Sequence, residues 1–348
     1  GGDEFVAILT AEGNRRLPEI LEKVTELFSS PWQLKNADYY CTMSMGIVQF
    51  PRDGSTVEEL IQKLDIALYE AKRAGKNRIE FYDSRIKSTS FERLDVEKRL
   101  RDALANDCKE FEVIYQPIVN VEGERDHCVG AEALLRWNCG ALGVISPTEF
   151  VPLAEYLGLI NPIGEFVLRE ACRNCKYWND LGHPEYKVNV NLSVVQLLQK
   201  DIVDTVQKIV EESGISPGNL TLEVTEGLAV NDMVRMKRVL AGIRALGVRV
   251  ALDDFGTGYS SLNHIREMPL DVIKIDSCFV ADIGKDEFQK AFVTMVAELA
   301  HAIGVRVCVE GVETVQQLAA LKKTKIQMIQ GFYFGKPMDR AAFEKKYL

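Results

Sequence analysis

The sequence predicts an α/β protein: a (β/α)8, TIM-like barrel with an irregular antiparallel first strand, preceded by the C-terminal half of an α+β domain. First, apolar strand-like runs alternate with helix-like segments throughout residues 105–348, as is typical of buried parallel strands. Second, eight such runs in a stretch of this length match the size of the barrel. Third, the short polar turn NVEGERDH joins the first two runs without a helix, which favours an antiparallel pair.

Residues 1–83 have the pattern of the back half of an α+β domain. Apolar residues at helical spacing predict a helix over 16–29, and a second helix over 56–74 is closed by Gly75. Strands are predicted in the runs VAILT, DYYCTMSMGIVQF and RIEFYD. Residues 84–104 follow as a charged linker helix, whose apolar stripe we expect to dock on the next domain.

Residues 105–348 supply the barrel, and its elements are predicted in chain order. The strands are FEVIYQPIV, VGAEALLRW, KVNVNLS, LTLEVTE, VRVALDD, VIKID, VRVCVEG and IQMIQGFYF. The helices lie near 149–157, 163–179, 195–212, 232–246, 286–303 and 314–322.

Composition and charge exclude several classes of function. The chain has 42 Lys and Arg against 51 Asp and Glu, a net charge of −9, so duplex nucleic acid is not an expected partner. No apolar run approaches the roughly 20 residues that span a bilayer, and no signal peptide opens the chain. We expect a cytoplasmic protein, and a membrane tether in a region before residue 1 stays open.

The eight cysteines are scattered, and several lie within strand-like runs. Reduced, buried thiols are the expected state in a cytosolic protein. Cys172 and Cys175 form a CxxC inside a helical stretch without a second pair. A single pair is half of a metal site, so a zinc or redox role is not favoured.

Carboxylates stand where the apolar strands end. In such a barrel the active site lies at the C-terminal ends of the strands, and acids that converge there would repel one another unless cations were bound. Oxygen ligands without His or Cys favour Mg²⁺ or Mn²⁺, and an adjacent acid pair can serve two ions in phosphodiester cleavage. The strand-end residues are Glu132, Asn191, Glu223, Asp253, Asp254 and Glu310.

Lys274 interrupts the apolar run DVIKID and is predicted to point into the same mouth. A catalytic lysine would orient the nucleophile and offset charge on the phosphate, whereas the simpler alternative is a counter-ion for the acids. The loop at 254–261, DFGTGYSS, is by itself either a phosphate cradle or a tight turn. Beside the acids it is predicted to be a mobile loop that positions Asp253 and Asp254, with Glu226 as its anchor.

These residues carry a close resemblance to the EAL domain, the phosphodiesterase family that hydrolyses cyclic di-GMP to linear pGpG. The resemblance spans nearly all of 105–348, and the ordered motifs make it specific. The matching motifs are Tyr115-Gln116-Pro117, Glu132-Ala133-Leu134-Leu135-Arg136-Trp137, Asn191-Leu192-Ser193, Glu223-Val224-Thr225-Glu226, Asp253 through Ser261, Lys274-Ile275-Asp276, Glu310-Gly311-Val312-Glu313 and Gln330-Gly331.

The resemblance implies a role for each matching position. Two Mg²⁺ or Mn²⁺ ions would be held by Glu132, Asn191, Glu223, Asp253, Asp254 and Glu310. Lys274 would be the catalytic lysine and Glu226 the loop anchor, while Asp276, Glu313 and Gln330 would support the site and its water. The dinucleotide would be contacted by Gln116, Leu135 and Arg136. The resemblance also suggests a homodimer through the barrel.

Residues 1–83 resemble the C-terminal part of a GGDEF diguanylate cyclase domain, on the motif Gly1 to Phe5, the run SMGI and the run from Ala67 to Arg78. The resemblance implies that Asp3 and Glu4 help to hold Mg²⁺ and that Lys72 and Lys76 face phosphates. The front half of this domain is absent, so we expect the sequence to be a fragment of a longer chain.

An active cyclic di-GMP phosphodiesterase is the leading hypothesis. One alternative is a catalytically silent cyclic di-GMP receptor, which the full set of expected ligands disfavours. The other is a bifunctional protein whose cyclase half works in the full-length chain. A regulatory GGDEF half that binds GTP and tunes the barrel is equally open.

Overall fold

The computed structural model describes residues 5–10, 13, 15–29, 32–34, 37–39, 42–73, 77–83, 87–225, 233–257 and 267–348. The chain divides into two compact units, Gly1–Val96 and Glu97–Leu348. Among the described residues, no helix is long and apolar enough to cross a membrane.

The first unit is a small α+β assembly. Its described elements are α1 Leu17–Ser29, β1 Trp32–Leu34, β2 Ala37–Tyr39, β3 Met45–Ile47, α2 Val57–Arg73 and β4 Ile79–Phe81. Strands β1 and β2 form an antiparallel pair, whereas β3 and β4 are parallel and joined through α2. A Cβ on Gly46 would lie 2.4 Å from the Leu68 nitrogen of α2. Glycine therefore lets the helix lie directly against the strand.

The run VAILT, predicted as a strand, has no strand among its described residues. Val6 and Ile8 are exposed, and no strand in the described part of the chain pairs with this run. A strand needs a partner for its backbone groups, so the apolar pattern alone was not sufficient.

The barrel unit begins within the helix α3, Lys87–Ala105. Its strands are β5 Phe111–Asn120, β6 His127–Cys139, β7 Gly143–Ile145, β8 Lys187–Asn191, β9 Leu220–Thr225, β10 Arg249–Phe255, β11 Val272–Ile275, β12 Arg306–Val309 and β13 Met328–Gln330. Its described helices are α4 Pro147–Tyr156, α5 Ile160–Asp180, α6 Val194–Leu197, α7 Ile202–Ser213, α8 Met233–Ala245, α9 Glu287–Ala302, α10 Val315–Leu321 and α11 Arg340–Tyr347, with short 3-10 helices at Pro217–Asn219 and Ser277–Phe279.

Eight strands close the barrel in the order β5-β13-β12-β11-β10-β9-β8-β6, and the β5–β6 pairing joins the two ends. Strand β5 is antiparallel to both of its neighbours. The remaining barrel pairings are parallel. The prediction of a TIM-like barrel with an antiparallel first strand is confirmed.

Four features of the barrel unit differ from the predicted elements, and the first is that the helix predicted near 195–212 is two helices, α6 and α7. Strand β7 adds a short antiparallel hairpin beside β6, and helix α11 follows the last strand; neither was predicted. The last strand ends at Gln330 rather than continuing through GFYF. A Cβ on Gly331 would lie 2.2 Å from the Val312 carbonyl oxygen, so the backbone turns there against a neighbouring segment.

The barrel unit has two clusters of buried apolar residues, one outside the ring of strands and one inside it. The larger cluster lies between the strands and the helices, and the smaller one fills the barrel interior with Ile118, Ala251, Val272, Cys308 and Met328. Because side chains on one face of a strand recur every second residue, the next inward position is two residues along. Those positions carry Gln116, Asp253, Lys274, Glu310 and Gln330. In the antiparallel β5 the step is two residues backward, as its reversed direction requires.

Candidate active site

Lys274 lies in β11 inside a ring of four carboxylates. Its Nζ is 2.6 Å from Glu310 Oε1, 2.8 Å from Glu223 Oε2, 3.2 Å from Asp253 Oδ1 and 3.3 Å from Glu132 Oε2. The lysine side chain is only 1% exposed. A buried cation of this kind is stable only when it is paired, and here each partner comes from a different strand or strand end.

Glu132 lies in β6, and three side chains donate hydrogen bonds to its carboxylate. Asn191 Nδ2 donates to Glu132 Oε1 at 2.6 Å, and Gln330 Nε2 donates to Oε2 at 2.7 Å, close to the Lys274 contact. Gln330 Nε2 also lies 3.1 Å from Gln116 Oε1. The side chains of five strands are therefore joined in one polar network, most of it buried.

Glu223, in β9, is fully enclosed and receives a donor on each oxygen. Lys274 approaches Oε2, and Asn189 Nδ2 donates to Oε1 at 2.7 Å. Sequence reasoning missed Asn189. The available signal was its place two residues before Asn191 in KVNVN, since alternate residues of a strand share a face.

Asp253 and Asp254 are consecutive in β10, and regular alternation would send their side chains to opposite faces. The register of β10 against β11 shifts between Leu252 and Phe255, and Asp254 has a φ of 54°. Such a bulge re-aims a side chain. One oxygen each of Asp253, Asp254 and Glu310 lie within 4.8 Å of one another, so the bulge brings both acids to the mouth.

Burial and the neighbouring charges shift the pKa values of this cluster. Burial would lower the pKa of Lys274, but Glu132 and Glu223 raise it well above its ordinary value. Burial raises the pKa of Glu223 far above normal and that of Glu310 to about 7, and it also raises the pKa of Asp254. Glu132 differs: burial opposes ionisation, but Lys274 and two amide donors lower its pKa. Four carboxylates therefore share the single positive charge of Lys274.

Four further predicted site residues are described, and each has its own local contacts. Asp276 caps the 3-10 helix after β11, accepting a hydrogen bond from the Cys278 nitrogen at 2.9 Å. Leu135 is partly buried against the core, and Arg136 donates to the Leu135 carbonyl at 2.8 Å. The Glu313 side chain is exposed, and within the described residues no hydrogen bond or ion pair joins it to the cluster.

Several predicted residues lie outside the described part of the chain. They are Asp3, Glu4, Lys76 and Glu226, together with residues 258–261 of the loop at 254–261. Lys72 belongs to α2, but its side chain also lies outside the description. Their predicted roles stay predictions.

The donor set fits a hard divalent cation. Among the described residues, each side chain at the mouth that offers a ligand atom is a carboxylate or an amide, and these are the donors that Mg²⁺ and Mn²⁺ prefer. Asp253 Oδ1 is buried without a hydrogen-bond partner, although Lys274 lies 3.2 Å away, and Gln330 Oε1 is likewise unpartnered. Excess negative charge and unpartnered acceptors are what a bound cation would satisfy.

The family comparison agrees with this geometry. The EAL domain family model matches residues 97–337. This chain belongs to the EAL family. The model for the GGDEF domain, described as a diguanylate cyclase domain, matches residues 1–78, so the EAL barrel follows a GGDEF segment.

Two curated relatives and one solved structure place this EAL chain more closely. The bifunctional diguanylate cyclase/cyclic di-GMP phosphodiesterase MucR of Pseudomonas aeruginosa is 37% identical over 338 residues, covering 97% of this chain and 49% of MucR. The cyclic di-GMP phosphodiesterase NbdA of the same species is 33% identical over 344 residues, covering 99% of this chain and 43% of NbdA. The PaMucR phosphodiesterase in complex with c-di-GMP matches with a TM-score of 0.67 at 37% identity, covering 72% of this chain and 99% of that one. The chain spans a little under half the length of these two relatives.

Proposed function

We propose that this chain hydrolyses cyclic di-GMP to linear pGpG. The observation that carries the proposal is the buried Lys274 surrounded by four carboxylates at the C-terminal mouth of an EAL barrel. The proposal is supported by relatives named as cyclic di-GMP phosphodiesterases and by the likeness to a c-di-GMP complex.

We propose two Mg²⁺ or Mn²⁺ ions at this mouth. Bound there, they would supply Lewis-acid activation and neutralise charge on the phosphodiester oxygens. The adjacent acids of the β10 bulge suit a site for two ions, because one pair of carboxylates can serve both. The proposed ligands are Glu132, Asn191, Glu223, Asp253, Asp254 and Glu310.

The chain's own groups would act on the ligand and its charge. Lys274 would offset the negative charge that develops at the scissile phosphate and orient the attacking water. Gln330 would hold Glu132 in place, and its unpartnered Oε1 is free to accept a hydrogen bond from water. Asp276, Glu313 and Glu226 complete the proposed supports.

We propose that the wall beside the mouth contacts the dinucleotide. Strand β6 continues past Glu132 to Cys139, so Leu135 and Arg136 stand on its extension. Gln116 lies opposite Glu132 on β5. A guanidinium there would suit a phosphate, and the leucine would offer apolar contact to a base.

The chain of 348 residues should convert cyclic di-GMP to pGpG with Mg²⁺, and chromatography of the nucleotides would measure the product. Removing metal with EDTA should abolish product, and adding Mg²⁺ should restore it. Tight binding of cyclic di-GMP without pGpG would favour the receptor hypothesis and overturn the enzyme proposal.

Calcium should inhibit the Mg²⁺-supported reaction. Ca²⁺ accepts more ligands at longer and looser distances than the octahedral Mg²⁺, so the attacking water would be misplaced. Turnover at fixed Mg²⁺ would be followed as Ca²⁺ is added, with Mn²⁺ in parallel as a metal expected to support activity. Full activity with Ca²⁺ alone would contradict the proposed site.

A second candidate is a bifunctional protein, favoured by the GGDEF match over residues 1–78 and by the name of MucR. GTP would be the substrate or a regulator of that half. Cyclic di-GMP synthesis from GTP would be measured, with a protein in which Asp3 and Glu4 are replaced as the control. Equal synthesis by that variant would contradict a cyclase role.

A further inference from the structure

We propose that Asn189 is a positioning residue of this site, which holds the Glu223 carboxylate in the orientation that a metal ion requires. The inference rests on the proposed function, because it assigns a support to one of the proposed metal ligands. It concerns a residue that belongs to none of the EAL motifs identified in this sequence.

The geometry is specific. Asn189 is 8% exposed, and its Nδ2 donates to Glu223 Oε1 at 2.7 Å. In the strand register, Asn189 is the partner of Glu132 on one side and of Thr221 on the other. Its amide therefore reaches from the layer beneath Glu223 up to that carboxylate.

Each of the two asparagines of β8 donates a hydrogen bond to a different glutamate. Asn191, nearer the mouth and more exposed, donates to Glu132 at 2.6 Å. Asn189 lies one layer deeper and donates to Glu223. Asn189 shares its layer with Glu132, but its side chain is one methylene shorter. At that depth it is better placed to orient a ligand than to be one, and such supports strongly affect metal affinity.

Asn189 is a donor that Glu223 shares with no other acid of the cluster among the described residues. Its side chain is 0% exposed, and in the described part of the chain its carboxylate has two hydrogen-bond donors, Asn189 and Lys274. Lys274 is shared with three other acids. Asn189 is therefore the donor that is dedicated to Glu223, and without it the carboxylate is free to rotate onto Lys274.

The test is Asn189→Leu, which keeps a similar volume and removes the donor. The Mn²⁺ dissociation constant would be measured by electron paramagnetic resonance on the whole chain, without substrate. We expect Mn²⁺ affinity about 10–100-fold weaker than in the wild type. Activity should fall mostly in kcat at non-saturating metal, with the KM for cyclic di-GMP little changed, because the amide does not touch the ligand.

Thr221→Val is the matched control. Thr221 is 2% exposed and is the register partner of Asn189, so this variant removes a buried polar group of the same layer while keeping its shape. No hydrogen bond from its hydroxyl to a site carboxylate is present in the described residues. Its Mn²⁺ affinity should match the wild type.

A double variant separates positioning from a general loss of packing. If Asn189 acts through Glu223, adding Asn189→Leu to Glu223→Gln should weaken Mn²⁺ binding no further. Multiplied effects would overturn the proposal, and so would wild-type Mn²⁺ affinity in Asn189→Leu. If circular dichroism shows that the leucine variant does not fold, Asn189→Ala is measured against the same expectation.

The two proposals fail in different ways. A wild-type chain that binds no Mn²⁺ contradicts the metal site and the role of Asn189 together. A wild-type chain that binds Mn²⁺ and cleaves cyclic di-GMP, with an unaffected Asn189 variant, contradicts the role of Asn189 alone.

Discussion

Lys274→Met should lower the turnover of cyclic di-GMP by about 10²–10³-fold, the loss that follows removal of one preorganised donor at a developing negative charge. The side chain keeps its length and apolar stem, so the change removes little besides the ammonium. Chromatographic measurement of pGpG at saturating Mg²⁺ and substrate would give kcat. Substrate binding, measured separately, should fall much less than kcat does.

The same variant should also be less stable without metal. Lys274 is the cation at the centre of four acids, and breaking a buried ion pair by removing one partner costs about 3–5 kcal/mol. Urea unfolding in EDTA should therefore occur at lower denaturant than in the wild type. Added Mg²⁺ should narrow the difference, because it supplies the missing positive charge.

Lys290→Met is the control for both measurements. This lysine is about half exposed and pairs with Glu287 at 3.7 Å on the surface, where an ion pair contributes little. It should leave turnover and stability close to wild type. A Lys274→Met chain with wild-type kcat would leave that lysine with the counter-ion role alone.

Glu132→Ala should abolish measurable hydrolysis while largely sparing the fold. The change removes a proposed metal ligand and the acceptor shared by Asn191, Gln330 and Lys274. It also removes one of several mutually repelling carboxylates, and this relief offsets part of the lost hydrogen bonding. Turnover and the circular dichroism spectrum would be measured on the same preparation.

Glu287→Gln is a suitable control, because the Glu287 side chain is 88% exposed and lies on helix α9 rather than on a barrel strand. It should hydrolyse cyclic di-GMP as the wild type does. Near-normal turnover by Glu132→Ala would contradict the assignment of Glu132 as a ligand. A folded Glu132→Ala chain without turnover is the expected outcome.

Much of the barrel could be predicted from the chain because its strands are short apolar runs interrupted at the same relative position. The inward-facing polar residues follow from the two-residue period of strands, which places Lys274 on the same face as Val272 and Glu310 on the same face as Cys308. The antiparallel first strand was evident from the short connection between β5 and β6. The prediction of a strand at VAILT was wrong, since apolar character does not supply a pairing partner.

The sequence by itself determined the fold class and the residue types of the site, because spacing and residue chemistry are local properties. Tertiary structure decided which atoms meet. It brought Asp253 and Asp254 to one mouth through a bulge, which alternation alone would have forbidden. It also placed Asn189 against Glu223 across two strands, a contact set by strand register, which the sequence of a single strand does not contain.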